Sequence, residues 1–216
     1  ENLFAIQSEI SREVVLALNG VLSTQDDTKL DRLPTNSLEA YGEYVLGRKE
    51  MAKRTVEDFD SAIAHFEKAI ELDQDYALAY VNLASSIQIR AFMVRPRQQL
   101  SEVSDRIQSL IDKALSLDPL SGEAWAALGL LRSGQNEMEE AEKYYLKAME
   151  LSPNYPSAYQ WYSHLLNRDE SKRELALQYI QKATELDPLA DILKINLANH
   201  YRLLGRRDDM YEVLAQ

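Results

Sequence analysis

A short motif that recurs at intervals of 45, 34 and 35 residues is the strongest constraint on how this chain folds. The motif is Lys-Ala-x-x-Leu followed by Asp or Ser, and a proline follows three of its copies. A period close to 34 residues is typical of solenoids in which each repeat is one pair of helices. The four copies occupy 68–73, 113–118, 147–152 and 182–187.

The third copy ends a segment that carries a complete repeat signature. From Gly122 the segment reads Trp-x-x-Leu-Gly, then Ala and Tyr on a second apolar stripe, then Ala and a closing proline. This order resembles the tetratricopeptide repeat, with Tyr145 in the usual phenylalanine position. The resemblance implies an all-α fold, a right-handed superhelix of antiparallel helix pairs that serves as a binding scaffold. The residues that carry it are Trp125, Leu128, Gly129, Ala141, Tyr145, Ala148 and Pro153.

The spacing predicts an array of about four and a half repeats. A leader, by which we mean the helix at 1–22, and a linker precede this array. Residues 1–22 form an amphipathic helix, because apolar residues recur there at steps of three and four. Residues 23–36 are polar and serve as a linker. The last repeat lacks the Lys-Ala motif, so we expect an incomplete repeat, a fragment of a longer protein and an exposed apolar end. The predicted repeats are 37–74, 75–119 with an insertion at 90–101, 120–153, 154–188 and 189–216.

The repeats themselves are generic, but two segments near the start resemble one particular group of bacterial proteins. These are Leu3–Leu18, which begins Leu-Phe-Ala-Ile-Gln, and Leu38–Arg48, which begins Leu-Glu-Ala-Tyr. Proteins of that group join a TolB-like domain to tetratricopeptide repeats, and many also carry a class III adenylate cyclase domain or a winged-helix domain of the CadC/ToxR type. The resemblance implies the sensory or partner-binding part of a bacterial signalling or transcriptional regulator.

Composition excludes several classes of function. The net charge of −11 repels phosphates, which argues against direct binding of nucleic acid. The absence of cysteine excludes disulfides, thiolate nucleophiles and cysteine-based metal sites. No stretch of about 20 apolar residues predicts insertion into a membrane, and both cytoplasmic and periplasmic locations remain open.

The first helix of each repeat is expected to line a concave groove that binds a protein or peptide. In the register of the repeat family, with Trp125 at position 4, positions 2, 5, 9 and 12 face this groove. An ordinary solvated inner face is the alternative reading. A clamp for a terminal carboxylate is not expected. Such a clamp needs several convergent cations, and the groove positions offer only Arg202. The candidate groove residues are Leu78, Val81, Ser85, Gln88, Glu123, Ala126, Leu130, Ser157, Gln160, His164, Asn167, Ile195, Asn199 and Arg202.

The insertion in the second repeat is the most individual feature of the array. Phe92 lies there between basic residues, and Arg95 and Arg97 follow it in an otherwise acidic chain. These residues form a candidate insertion surface for an acidic partner or a second subunit. Alternatively, Phe92 packs two lengthened helices together. Among aromatic residues outside the insertion, Tyr155 and Trp161 are candidates for exposed contacts. Packing against a neighbouring helix is the alternative and the commoner outcome for such residues.

No residue pattern points to catalysis, a cofactor or a metal. The three histidines lack the i, i+4 spacing of a helical metal site, and the glycines are scattered rather than grouped in a phosphate loop. We therefore expect a non-enzymatic scaffold for protein interactions. The alternative is a self-association module. In that case a homodimer of this chain would bring together two attached output domains.

Overall fold

The computed structural model describes residues 35–94 and 96–215, without the side chains of residues 96–100. The predicted leader helix at 1–22 and most of the linker at 23–36 lie outside the described residues. The described residues form helices joined by short turns, and they contain no β-strand. The helices are α1 (Leu38–Lys53), α2 (Val56–Leu72), α3 (Ala77–Val94), α4 (Pro96–Leu117), α5 (Gly122–Gly134), α6 (Met138–Leu151), α7 (Pro156–Leu166), α8 (Arg173–Leu186), α9 (Asp191–Leu203) and α10 (Arg207–Leu214), with a short 3₁₀ helix at Glu170–Lys172.

The helices form successive pairs, and each pair packs against the next. Within a pair, a first helix (A) lies against a second helix (B), as α1 lies against α2 and α5 against α6. Each B helix then contacts the A helix of the following pair, and α1, α3, α5 and α7 also contact one another in order. This arrangement buries a continuous apolar core along the array instead of one central core.

Hydroxyl side chains fix the start of several helices. The Ser37 Oγ accepts a hydrogen bond from the Ala40 amide at 3.1 Å, and Thr55 and Ser121 do the same for α2 and α5. Such a cap satisfies one of the amide groups that have no partner within the helix. Ser37 is thus the cap of the first described helix.

An aromatic residue at position 4 closes the turn between repeats. The Trp125 indole donates to the Pro119 carbonyl at 3.1 Å, and the Tyr159 hydroxyl donates to the Pro153 carbonyl at 2.9 Å. Tyr80 makes the same bond to Gln74, which stands where the later repeats have proline. The acceptor lies six residues before the donor in all three cases. The side chain at position 4 therefore stabilises the turn that precedes its A helix.

Small residues occupy the positions where helices approach most closely. The alanines of the Lys-Ala motif are fully buried. A Cβ on Gly129 would lie 2.7 Å from the Tyr145 ring, and one on Gly47 would lie 2.7 Å from the Phe66 ring. Both glycines therefore occupy position 8, opposite the large aromatic residue of the paired B helix. This equivalence fixes the register of the first repeat.

Extra residues in the repeats lengthen helices instead of forming loops. The insertion in the second repeat makes α3 18 residues long and α4 22 residues long, against 13 and 14 in α5 and α6. The first repeat has three more residues than the motif, and α2 accordingly has 17 residues. Helical continuation satisfies backbone hydrogen bonds that a protruding loop would leave to water.

Helix α3 also has the length and apolar composition to cross a membrane, judged by those two properties alone. Half of its residues are buried within the array. Its apolar character follows from its place in the array, where it packs against α1, α2, α4 and α5. We therefore describe it as a core helix of the solenoid.

Candidate functional site

The A helices α1, α3, α5, α7 and α9 provide the face on which the candidate groove residues lie. In the second and third repeats most of these residues are buried, and they offer little side-chain surface to a ligand. Gln88 is fully buried, and neither its amide nitrogen nor its amide oxygen has a hydrogen-bond partner. Val81, Ser85 and Ala126 are buried, whereas Leu78, Glu123 and Leu130 are half-buried.

The fourth and fifth repeats present more of the predicted groove to solvent. His164 on α7 and Asn199 and Arg202 on α9 are exposed. Ile195 retains 49% of its accessible surface. Ser157 and Asn167 are half-buried, and Gln160 is buried. The accessible part of the candidate site is therefore a surface across α7 and α9, which we call the α7–α9 surface (His164, Ile195, Asn199 and Arg202).

A pair of histidines marks this surface and was not expected from the sequence. The rings of His164 and His200 stack with centroids 5.9 Å apart and planes 23° apart. The His200 Nδ1 lies 2.8 Å from the Asn196 carbonyl oxygen, so it carries a proton and donates to that oxygen. The two residues occupy positions 9 and 10 of successive repeats, so the repeat period was the signal that could have paired them.

Both imidazoles are held in the neutral form. Surrounding protein atoms disfavour the charged ring of His164, and the neighbouring His200 would add a like charge, so the pKa of His164 falls to about 4. Burial also lowers the pKa of His200, although the Asn196 carbonyl opposes this effect. At neutral pH His164 therefore presents an uncharged ring at the surface, whereas His200 is buried. Among the residues described here, no group of three or more His, Cys, Asp or Glu side chains could hold a metal ion.

A second polar cluster lies on α1 and α3, in the first two repeats, and the sequence analysis did not identify it. The Asn82 side chain donates to the Tyr44 hydroxyl at 3.4 Å and to the Leu78 carbonyl at 2.9 Å. Burial raises the pKa of Tyr44, and Arg48 opposes that shift. Tyr44 and Arg48 occupy positions 5 and 9 of the first repeat. The three additional residues in that repeat obscured this register in the sequence.

The described residues of the insertion before Arg95 belong to helix α3. Phe92 is partly buried against the core of the first three repeats. Arg90 forms a two-bond ion pair with Asp60 on α2, so its charge is already neutralised. Met93 and Val94 remain exposed. The Arg95 residue and the Arg97 side chain lie outside the described part of the chain.

Trp161 is not an exposed contact residue; it packs against a neighbouring helix, the alternative that the sequence analysis gave as the commoner outcome. It is buried in the core between α6 and α7, and its ring contacts Tyr155 edge-on with centroids 6.4 Å apart. Tyr155 is partly buried. The same position of the A helix is buried in the third repeat as Ala127, so Trp161 fills space between repeats.

The comparisons with known proteins agree with the repeat architecture. Residues 51–76 and 122–155 match the sequence profile of the tetratricopeptide repeat. The STIP1 homologue of Dictyostelium discoideum is 28% identical over 114 residues, which are 51% of this chain and 18% of that protein. This chain therefore matches less than a fifth of the length of that curated relative.

Two solved structures illustrate the likeness in three dimensions. The pilF protein of Pseudomonas aeruginosa has a TM-score of 0.53 at 20% identity, over 82% of this chain and 76% of that one. The first TPR domain of Spaghetti (RPAP3), solved with an HSP90 peptide, has a TM-score of 0.44 at 23% identity. That alignment covers 59% of this chain and 90% of the other. With the helix pairs and the matched repeats, the pilF likeness establishes an all-α tetratricopeptide-repeat fold for this chain.

Proposed function

We propose that this chain is a protein-interaction scaffold that binds a segment of a partner protein on the α7–α9 surface. The observation that carries the proposal is the contrast in exposure along the groove positions. Those positions are mostly buried in α3 and α5, but several are exposed on α7 and α9. Tetratricopeptide-repeat solenoids serve as protein-binding scaffolds, and their extended faces take up peptides in extended or helical form.

The chemistry of the α7–α9 surface suits a segment with one apolar and one acidic group. Ile195 offers apolar area, Asn199 offers an amide, and Arg202 offers a cation that can bind a carboxylate with two hydrogen bonds. His164 adds a neutral ring, because its pKa of about 4 keeps it uncharged near neutral pH. The net charge of −11 disfavours nucleic acid as the ligand.

A peptide-binding experiment tests this proposal. A phage-displayed library of random dodecapeptides is selected on the whole chain, and the affinities of the enriched peptides are measured by fluorescence anisotropy. The double substitution Asn199→Ala/Arg202→Ala is expected to weaken binding by about tenfold or more, since a charge-assisted contact contributes about 1.5–3 kcal/mol. Asn154→Ala, in an exposed turn, is the matched control and is expected to bind as the parent does.

Two results would contradict the proposal. The first is a set of enriched peptides whose binding is unaffected by the double substitution. The second is hydrolase or transferase activity that His164→Ala abolishes, because the proposed role requires no catalytic group.

We further propose that the scaffold belongs to a bacterial signalling or transcriptional regulator. The support is the resemblance of Leu3–Leu18 and Leu38–Arg48 to the group with a TolB-like domain. In the cell of origin, Asn199→Ala/Arg202→Ala at the chromosomal locus is expected to alter cyclic-AMP levels or the transcript profile. Values equal to those of the Asn154→Ala strain for both readouts would refute this role.

A further inference from the structure

Two residues of opposite charge lie on the inner side of the first three repeats. Arg48 is at position 9 of α1 and Glu123 is at position 2 of α5, and both positions face the groove in the register of the repeat family. Helix α3 lies between these two helices and contacts both of them. Arg48 is exposed and Glu123 is half-buried, so both charged groups are accessible from the groove.

Tyr155, the residue before α7, shows that these charges face the same space. Burial raises the pKa of its hydroxyl, Glu123 and Tyr44 add to this shift, and Arg48 opposes it. A charge affects a hydroxyl in this way only from nearby. The first, third and fourth repeats therefore converge here, with Asn82 of the second repeat bonded to Tyr44. We call these five residues the mixed-charge site.

The two charges of the mixed-charge site do not neutralise each other. Arg90, on α3, forms an ion pair with Asp60, but among the residues that the structure describes no ion pair includes Arg48 or Glu123. The Glu123 carboxylate accepts a hydrogen bond from the Ser121 hydroxyl at 3.3 Å. A cation and an anion thus face one groove without pairing, which leaves each able to bind a group of opposite charge.

The surroundings of Arg48 favour an anionic ligand group at that end of the site. The Tyr44 ring packs on the Tyr76 ring with centroids 5.0 Å apart. Tyr76 is fully buried, and its hydroxyl has no hydrogen-bond partner among the described residues. Burial raises the pKa of Tyr76, and Arg48 is close enough to oppose that shift. Arg48 therefore lies beside a hydroxyl donor that no described group uses.

The pairing of charges limits which ligands the mixed-charge site can select. A guanidinium binds a carboxylate with two parallel hydrogen bonds, so Arg48 suits an acidic side chain. Glu123 suits an ammonium or guanidinium group and repels a second carboxylate. A purely acidic or purely basic segment would place a like charge against one of the two residues, and like charges across an interface are unfavourable.

We propose that the mixed-charge site binds a partner segment that carries one acidic and one basic side chain. The acidic group binds Arg48 and the basic group binds Glu123, while Tyr44 and Tyr155 provide aromatic surface between them. This inference rests on the proposed role as a protein-interaction scaffold. It does not depend on the α7–α9 surface, which has Arg202 as its charged group and suits a different part of a ligand.

A selection on a chain with an altered α7–α9 surface tests the proposal. A phage-displayed library of random dodecapeptides is selected on the full chain carrying Asn199→Ala/Arg202→Ala, so that enrichment does not rely on that surface. The enriched peptides are expected to contain both an acidic and a basic residue. In fluorescence anisotropy, adding Arg48→Gln or Glu123→Gln to this chain is expected to weaken binding about tenfold in each case.

A double-mutant cycle assigns each contact to its partner group. Replacing the acidic residue of a peptide by its amide is expected to weaken binding about tenfold, with no further loss on the chain that carries Arg48→Gln. Replacing the basic residue by methionine is expected to show the same coupling with Glu123→Gln. The two crossed combinations are expected to be additive, because those groups do not touch.

Controls separate these contacts from general electrostatic attraction. Arg207→Gln on α10 and Glu139→Gln on α6 remove exposed charges outside the groove and are expected to leave binding unchanged. Circular dichroism checks that each variant is folded. The proposal is overturned if no peptide is enriched, if binding depends on Arg48 alone, or if all combinations in the cycle are additive. These outcomes leave the α7–α9 proposal standing, because that surface is disabled in the chain used.

Discussion

At the scale of single residues, the fit between a glycine and an aromatic ring sets how closely paired helices approach. Gly129→Ala is expected to destabilise the fold by about 1–3 kcal/mol, since the new methyl group would overlap the buried Tyr145 ring. Gly42→Ala has open space and is expected to stabilise the fold by about 0.5–1 kcal/mol through helix propensity. Urea denaturation measures both. Equal effects of the two substitutions would show that the close approach does not limit the packing.

The histidine pair provides a prediction about pH at the same scale. An unfolded chain protonates His164 near its ordinary pKa of 6.5, whereas the folded chain protonates it only near pH 4. Between these values the unfolded state binds more protons, so stability is expected to decrease as the pH falls from about 6.5 to about 4. The difference in unfolding free energy between the parent and His164→Gln isolates this contribution from that of the carboxylates. A difference that is constant across the window would contradict the shifted pKa.

At the scale of elements, a hydrogen bond from the aromatic residue at position 4 connects α3, α5 and α7 to the turns before them. Tyr159→Phe removes the donor to the Pro153 carbonyl and keeps the ring, so we expect a loss of about 0.5 kcal/mol in stability. Tyr211→Phe removes an exposed hydroxyl and is expected to leave the stability unchanged. Thermal denaturation at low protein concentration compares the two variants. An unchanged midpoint for Tyr159→Phe would mean that water replaces the bond without loss.

At the scale of the whole molecule, stability is expected to vary along the array. Each repeat is stabilised mainly by its neighbours, and α10 has a neighbour on one side, eight residues and no buried side chain. Helix α5 lies between two repeats and buries Leu131 and most of its alanines. Amide hydrogens of 207–215 are expected to exchange about tenfold faster or more than those of 122–134. Hydrogen exchange with mass spectrometry at low concentration measures this, and uniform exchange would indicate a single cooperative unit.

Sequence patterns predicted the fold well because the repeat positions carry local information. Position 8 holds a small residue in every repeat, position 4 an aromatic donor in three repeats, and the end of helix B an alanine followed by a turn in four. The structure confirms the all-α repeat fold. The candidate groove was less predictable. Whether Gln88 or Asn199 is exposed depends on what packs over each position, and the register alone does not contain that information.

The sequence by itself determined the helix pairs, their order and the positions that pack, because these depend on periodicity and on neighbouring residues. The tertiary structure decided three further features. It brought His164 and His200 together across two repeats, it placed Trp161 in the core, and it accommodated the insertion by lengthening α3 and α4. Each of these depends on distances between residues on different helices. Such distances follow from how much volume the intervening side chains fill, which no local pattern in the chain specifies.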